Sequence, residues 1–166
     1  MKYIFILLMI AGLFGCEKEN NLEITKESER VTSFTLKEVN KSSLQWELKG
    51  KRAVYLRDTI VIYELQLFFY NREGSFTSEL KADSGYVFEN TKDLRAMGNV
   101  IVQSKDSTIL WTRELNWIQK EQKIQTESPV KYKKGDKIYT GKGLESDSDL
   151  KHIIIKEKFQ GKGEFE

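Results

Sequence analysis

Between Phe76 and Tyr132 the chain writes nearly the same pattern twice, thirty residues apart. Leu80, Ala82 and Val87 align with Leu110, Thr112 and Trp117. Leu94, Ala96, Val100 and Val102 align with Ile124, Thr126, Val130 and Tyr132. Within each unit the core-type residues stand two apart, the period of a strand that buries one face. A unit of this size cannot bury its apolar face alone, so the pattern demands stacked, similar β-units.

The flanks extend that pattern. Leu44, Trp46 and Leu48 alternate strictly, and Gly50 and Ala53 follow at the spacing of Ala82 and Gly85. Ile60 and Ile62 share one phase; Leu65, Leu67 and Phe69 continue in the other, the mark of a β-bulge. Asn71-Arg72-Glu73-Gly74 reads as a hairpin turn. Gly98-Asn99 in one unit and Ser128-Pro129 in the other occupy one slot, and both predict a strand irregularity there. A third, worn copy carries Tyr139, Gly141 and Leu144, and Ile153, Ile155 and Phe159 close the fold near Gly161. Polar turns every eight to twelve residues predict about a dozen strands and little helix: a sandwich, a jelly roll or a solenoid-like stack.

The N-terminus has a different character. Lys2 precedes an apolar run from Tyr3 to Phe14, shorter than the roughly 20 residues a membrane span needs but matched to a secretory signal. The run ends Leu13-Phe14-Gly15-Cys16, which resembles the lipobox of bacterial lipoproteins, where the cysteine is acylated and becomes the new N-terminus. Cys16 is the only cysteine, so no disulfide forms within the chain. Residues 1–15 are read as signal peptide, 16–33 as lipidated cysteine and polar tether, and 34–166 as the β-domain.

Composition removes several functions. Twenty-seven basic against 25 acidic residues leave a net charge of +2, without the basic excess a nucleic-acid partner requires. One histidine, His152, excludes a Cys/His zinc site, and its place beside Lys151 reads as a solvated strand start. Ser146-Asp147-Ser148-Asp149 reads as a turn and not a calcium loop, and Gly141-Lys142-Gly143 lacks the helix of a phosphate loop. No acid–base pair or cofactor motif stands out, and an enzyme is not expected. Trp46 and Trp117 lie on regular apolar faces; Trp111 lies opposite Leu110 and is the one tryptophan suited to an exposed platform.

Taken together, the anchor, Trp46-Glu47-Leu48, Leu65 to Tyr70 with its turn, L-x-A-D-x-G at Leu80, Ala96-Met97-Gly98-Asn99-Val100-Ile101-Val102 and Gly141-Lys142-Gly143-Leu144 resemble the LptC family. This family is the periplasmic component of the lipopolysaccharide-export ABC transporter, and the resemblance covers Phe34 to Gly161. It implies an open β-jelly roll of two antiparallel sheets with an apolar groove between them. It also implies a non-catalytic protein that takes lipopolysaccharide from the inner-membrane permease and passes it to the periplasmic bridge protein. The better-known members hold an uncleaved transmembrane helix; here an acyl anchor on Cys16 stands in its place, holding the domain in the periplasm at the inner membrane. Candidate groove residues are Leu65, Leu67, Phe69, Leu80, Val100, Val102, Trp117, Val130 and Tyr132. The alternative is a surface-exposed lipoprotein acting as a glycan-binding or structural module, for which Lys18-Glu19 and Trp111 are the signals.

Overall fold

The computed structural model describes residues 30–158. Nine strands follow one another: β1 Arg30–Asn40, β2 Ser43–Leu56, β3 Thr59–Tyr70, β4 Phe76–Phe88, β5 Leu94–Ser104, β6 Ile109–Ile118, β7 Lys123–Lys134, β8 Lys137–Asp147 and β9 Ile153–Lys158. Each is antiparallel to the next, in one hydrogen-bonded ladder of order β1 to β9. No helix occurs among the described residues. The expected signal segment, Cys16 and most of the tether lie outside the described residues. β1 begins at Arg30, so the last four residues read as tether belong to a strand.

Short turns make the meander possible. Lys41 and Ser42 both have positive φ, 48° and 68°, the two-residue turn whose twist suits a hairpin. At the β3–β4 turn Asn71 Oδ1 accepts from Glu73 N at 3.0 Å and Ser75 N at 2.9 Å, while Gly74 takes φ 77°. The expected dozen strands are nine because several short patterns are halves of one bent strand. Leu44–Leu48 and the run to Tyr55 both belong to β2; Ile60–Ile62 and Leu65–Phe69 both belong to β3.

Register shows how the strands bend. One row of directly opposed residues crosses the sheet: Leu36, Leu48, Leu67, Leu80, Val102, Leu110, Tyr132 and Tyr139. A second runs Tyr55, Ile60, Val87, Leu94, Trp117, Ile124, Ser146 and Ile153. Opposed residues share a face of the sheet, and both rows point the same way because members of both pack into one core cluster. Between them the register shifts in four successive pairings: at Lys81/Ser84, Met97/Val100, Thr112/Asn116 and Thr126/Pro129. Glu64 at φ 52° and Gly143 at φ 71° carry the same line into β3 and β8. The predicted irregular slot at Asn99 and Pro129 is thus part of a crease through the whole sheet, dividing each strand into an upper and a lower half.

Polar side chains hold the crease. Asp83 Oδ2 accepts from Asn99 N at 3.1 Å and Asn99 Nδ2 at 2.9 Å. Thr112 Oγ1 donates to Pro129 O at 3.0 Å, and Ser128 N donates to Thr126 Oγ1 at 3.0 Å. These bonds take up backbone groups that the shifted ladder leaves over.

The consequence is a sheet folded onto itself. Phe69 sits at the upper end of β3 and Trp117 at the lower end of β6, yet their ring centroids are 4.7 Å apart. In a flat sheet they would be roughly 14 Å apart across the strands and roughly 30 Å apart along them. Ser78 of upper β4 likewise donates to Ser148 O, beyond the lower end of β8, at 2.5 Å. The upper halves of β2–β4 therefore cover the lower halves of β6–β8. One hydrophobic cluster fills the space between them, Leu48 through Leu150.

Candidate functional site

All nine residues proposed from the sequence are buried, and all belong to that one interior. Leu67, Leu80, Val102 and Tyr132 stand in the upper row. Leu65, Val100 and Val130 lie one inward position nearer the crease, with Val100 and Val130 opposite Thr112 from its two sides. Phe69 and Trp117 form the contact across the fold. Burial of each aliphatic side chain contributes about 1.5–3 kcal/mol, so these residues hold the fold whatever else they do.

The interior is filled by the protein's own side chains, but it is not sealed. Among the described residues β1 and β9 pair only with β2 and β8, so the described sheet does not close into a barrel. Across the interior the two halves are joined by side-chain packing and by hydrogen bonds such as Ser78 to Ser148 O, and not by the ladder. The offset of upper over lower halves also leaves inward positions uncovered at both ends. Tyr139, opposite Tyr132, remains 45% exposed; Tyr55, opposite Ile60, remains 38% exposed. Burial raises the pKa of the Tyr132 phenol, so this hydroxyl stays protonated and uncharged inside the apolar rim.

The outer face is polar and cross-linked by charge. Arg95 Nη2 lies 2.8 Å from Glu114 Oε1, and Lys123–Glu145 and Lys156–Glu127 make further pairs between strands. Three of its aromatic residues carry cations: Lys49 over Phe68 at 4.9 Å, Arg52 over Tyr63 at 4.0 Å and Lys131 over Trp111 at 5.6 Å. Trp111 is therefore outward, as its spacing predicts, and half-buried.

The acidic run after β8 is a turn. Asp147 Oδ1 accepts from Lys151 N at 2.9 Å and His152 N at 3.2 Å, and His152 Nδ1 lies 2.6 Å from Asp147 Oδ2. Burial acts to raise the Asp147 pKa, but hydrogen bonds from the His152 ring and from the backbone N–H groups of His152 and Lys151 outweigh it and hold the carboxyl below its ordinary value. Asp106 is also lowered, by the hydroxyl of Ser104 first. Among the described residues no group of three His, Cys, Asp or Glu could hold a metal ion.

Two interior features escape sequence reasoning. Leu150 lies in the β8–β9 turn at φ 58°, out of any alternation, yet is 1% exposed in the core. Gln119, in a polar turn, accepts from two indoles with one oxygen: Trp46 Nε1 at 3.1 Å and Trp117 Nε1 at 3.0 Å. Only the folding of β2 over β6 brings those donors together, so no local signal announces it.

No helix among the described residues is long and apolar enough to cross a membrane. No curated protein matches the chain. A family model described as lipopolysaccharide-assembly, LptC-related, matches residues 3–164. A match of that extent, over an all-β antiparallel sheet with an apolar interior and open edges, places the chain in the LptC family of lipopolysaccharide-transport components.

Proposed function

We propose that this protein is a non-catalytic transfer component. It receives lipopolysaccharide from the inner-membrane permease and passes it to the periplasmic bridge protein. On this reading the creased sheet works as a two-layered open jelly roll, and the acyl chains travel between its halves past the nine interior residues. The observation that carries it is the unsealed apolar interior, with inward Tyr55 and Tyr139 left uncovered at opposite ends. A self-sufficient domain would cover both. A link in a longer path would leave them for the halves of its neighbours.

The energetics favour such a path. Each methylene exposed to water costs about 0.8 kcal/mol, so a lipid with several acyl chains needs continuous cover. Unpaired edges are ordinarily an aggregation hazard. Here β1 and β9 offer backbone donors and acceptors to neighbouring sheets, the edge-to-edge mode of strand addition. An acyl group on Cys16 and the polar segment after it would hold the domain near the inner membrane.

A photo-crosslinker at Phe69 or Val102, in cells exporting lipopolysaccharide, is expected to give a lipopolysaccharide adduct. Affinity capture of the full chain is expected to retain the permease subunits. Protease added to intact cells is expected to leave the protein whole. Cleavage from outside, with no adduct, would favour the surface module instead.

A further inference from the structure

The seam beside β1 contains a slot that the transfer reading does not itself assign. Leu36 and Trp46 form one wall, from the upper halves of β1 and β2. Val87, Leu94 and Trp117 form the other, from the lower halves of β4, β5 and β6, and Lys92 stands at the rim. The enclosed space is only about 20 Å³, so the slot is shut. Its lining is almost wholly apolar, and it continues into the interior at Leu48 and Leu67.

The closure is a specific one. Trp46 belongs to the upper layer and Trp117 to the lower, and the Gln119 carboxamide oxygen accepts both indole N–H groups. Gln119 is itself positioned by its backbone N–H, which donates to Asp93 Oδ1 at 2.9 Å. Asp93 directly follows Lys92 in the same turn, where Lys92 has φ 63°. Lys92 is the single charged residue lining the slot, and its ammonium makes no ion pair among the described residues. An apolar cleft with one free cation at its lip suits a long acyl chain below an anionic head group.

We propose that this slot is the port by which an acyl chain of an anionic glycolipid enters the interior, with Gln119 as the latch between the layers and Lys92 as the head-group contact. The proposal rests on the transfer reading and adds where the lipid enters. Entry exchanges two indole hydrogen bonds for apolar contact along the chain. Both indoles can then turn their N–H groups to the solvent-facing lip, where water accepts them.

The test uses the purified full chain with Trp111→Phe, which leaves Trp46 and Trp117 as the only tryptophans. Dibromostearate is the probe, because its bromines quench an indole only at contact. The port predicts saturable quenching of both. Lys92→Glu is expected to raise the half-quenching concentration about five-fold, the size of one exposed charge contact. Gln119→Ala is expected to lower it. Rough lipopolysaccharide should relieve the quenching at a lower lipid concentration than phosphatidylglycerol vesicles.

An absence of quenching overturns the port. Quenching that Lys92→Glu leaves unchanged overturns the head-group contact, and relief by phosphatidylglycerol as readily as by lipopolysaccharide overturns the glycolipid assignment. Lys92 is exposed, so its substitution tests the proposal even where Gln119→Ala unfolds the protein. Lipopolysaccharide adducts from Phe69 and Val102 without quenching here would overturn the port and leave the transfer reading in place. The loss of both would remove the two together.

Discussion

At Gly98 the backbone takes φ 91°, and a Cβ there would run into the Asp83 carboxylate that caps the crease. Gly98→Ala therefore combines backbone strain with loss of the cap, and should cost about 1–3 kcal/mol in urea unfolding. Gly135, also at positive φ, has nothing within 4 Å of its would-be Cβ, so the same change there should cost less. Charge at single residues sets the acid limit. Asp106 and Asp147 both have pKa values lowered in the fold, so their contribution is present above the unfolded carboxylate value of about 3.9. It is lost as pH falls through the lower folded values. Stability should drop steeply below pH 4, and Asp106→Asn should be less stable at pH 7 but show a shallower drop, read as urea midpoint against pH. At this scale the sequence was informative where a residue type has one use. Gly98-Asn99 and Pro129 announced an irregularity because neither suits a regular ladder. Leu150 announced nothing, since its turn meets the core only where the sheet folds over, the place at which Ser78 also reaches the Ser148 carbonyl.

The elements were legible as half-strands, not as strands. Alternation marks which residues share a face, but a crease resets the phase without ending the strand. The shift between Ile62 and Leu65 therefore reads equally as a bulge or a boundary. Neighbour pairing was also open to sequence, because short polar turns force a meander. The coverage of β6 by β3 was not, because it depends on the angle at the crease. That coverage is testable. In a double-mutant cycle on Phe69→Leu and Trp117→Leu, the ring contact should appear as a coupling energy of roughly 0.5–1.5 kcal/mol. A coupling indistinguishable from zero would mean that the layers are not packed there.

For the whole molecule, the repeat dictated an apolar layer that must be shared, and the register shows how the chain shares it with itself by an offset fold. The same offset leaves an inward tyrosine uncovered at each end, and among the described residues the outer edges of β1 and β9 are unpaired. Whether the interior or the charged outer face carries lipid is decided by placing a photo-crosslinking residue successively at Val100, Ile101, Val102 and Gln103 of β5 in a lipopolysaccharide-exporting cell. Along β5, Val100 and Val102 face the interior and Ile101 and Gln103 face outward. Lipid carried in the interior gives lipopolysaccharide adducts that alternate, present at Val100 and Val102 and absent at Ile101 and Gln103. Adducts of equal yield at all four, or at the outward pair alone, would rule out an interior path.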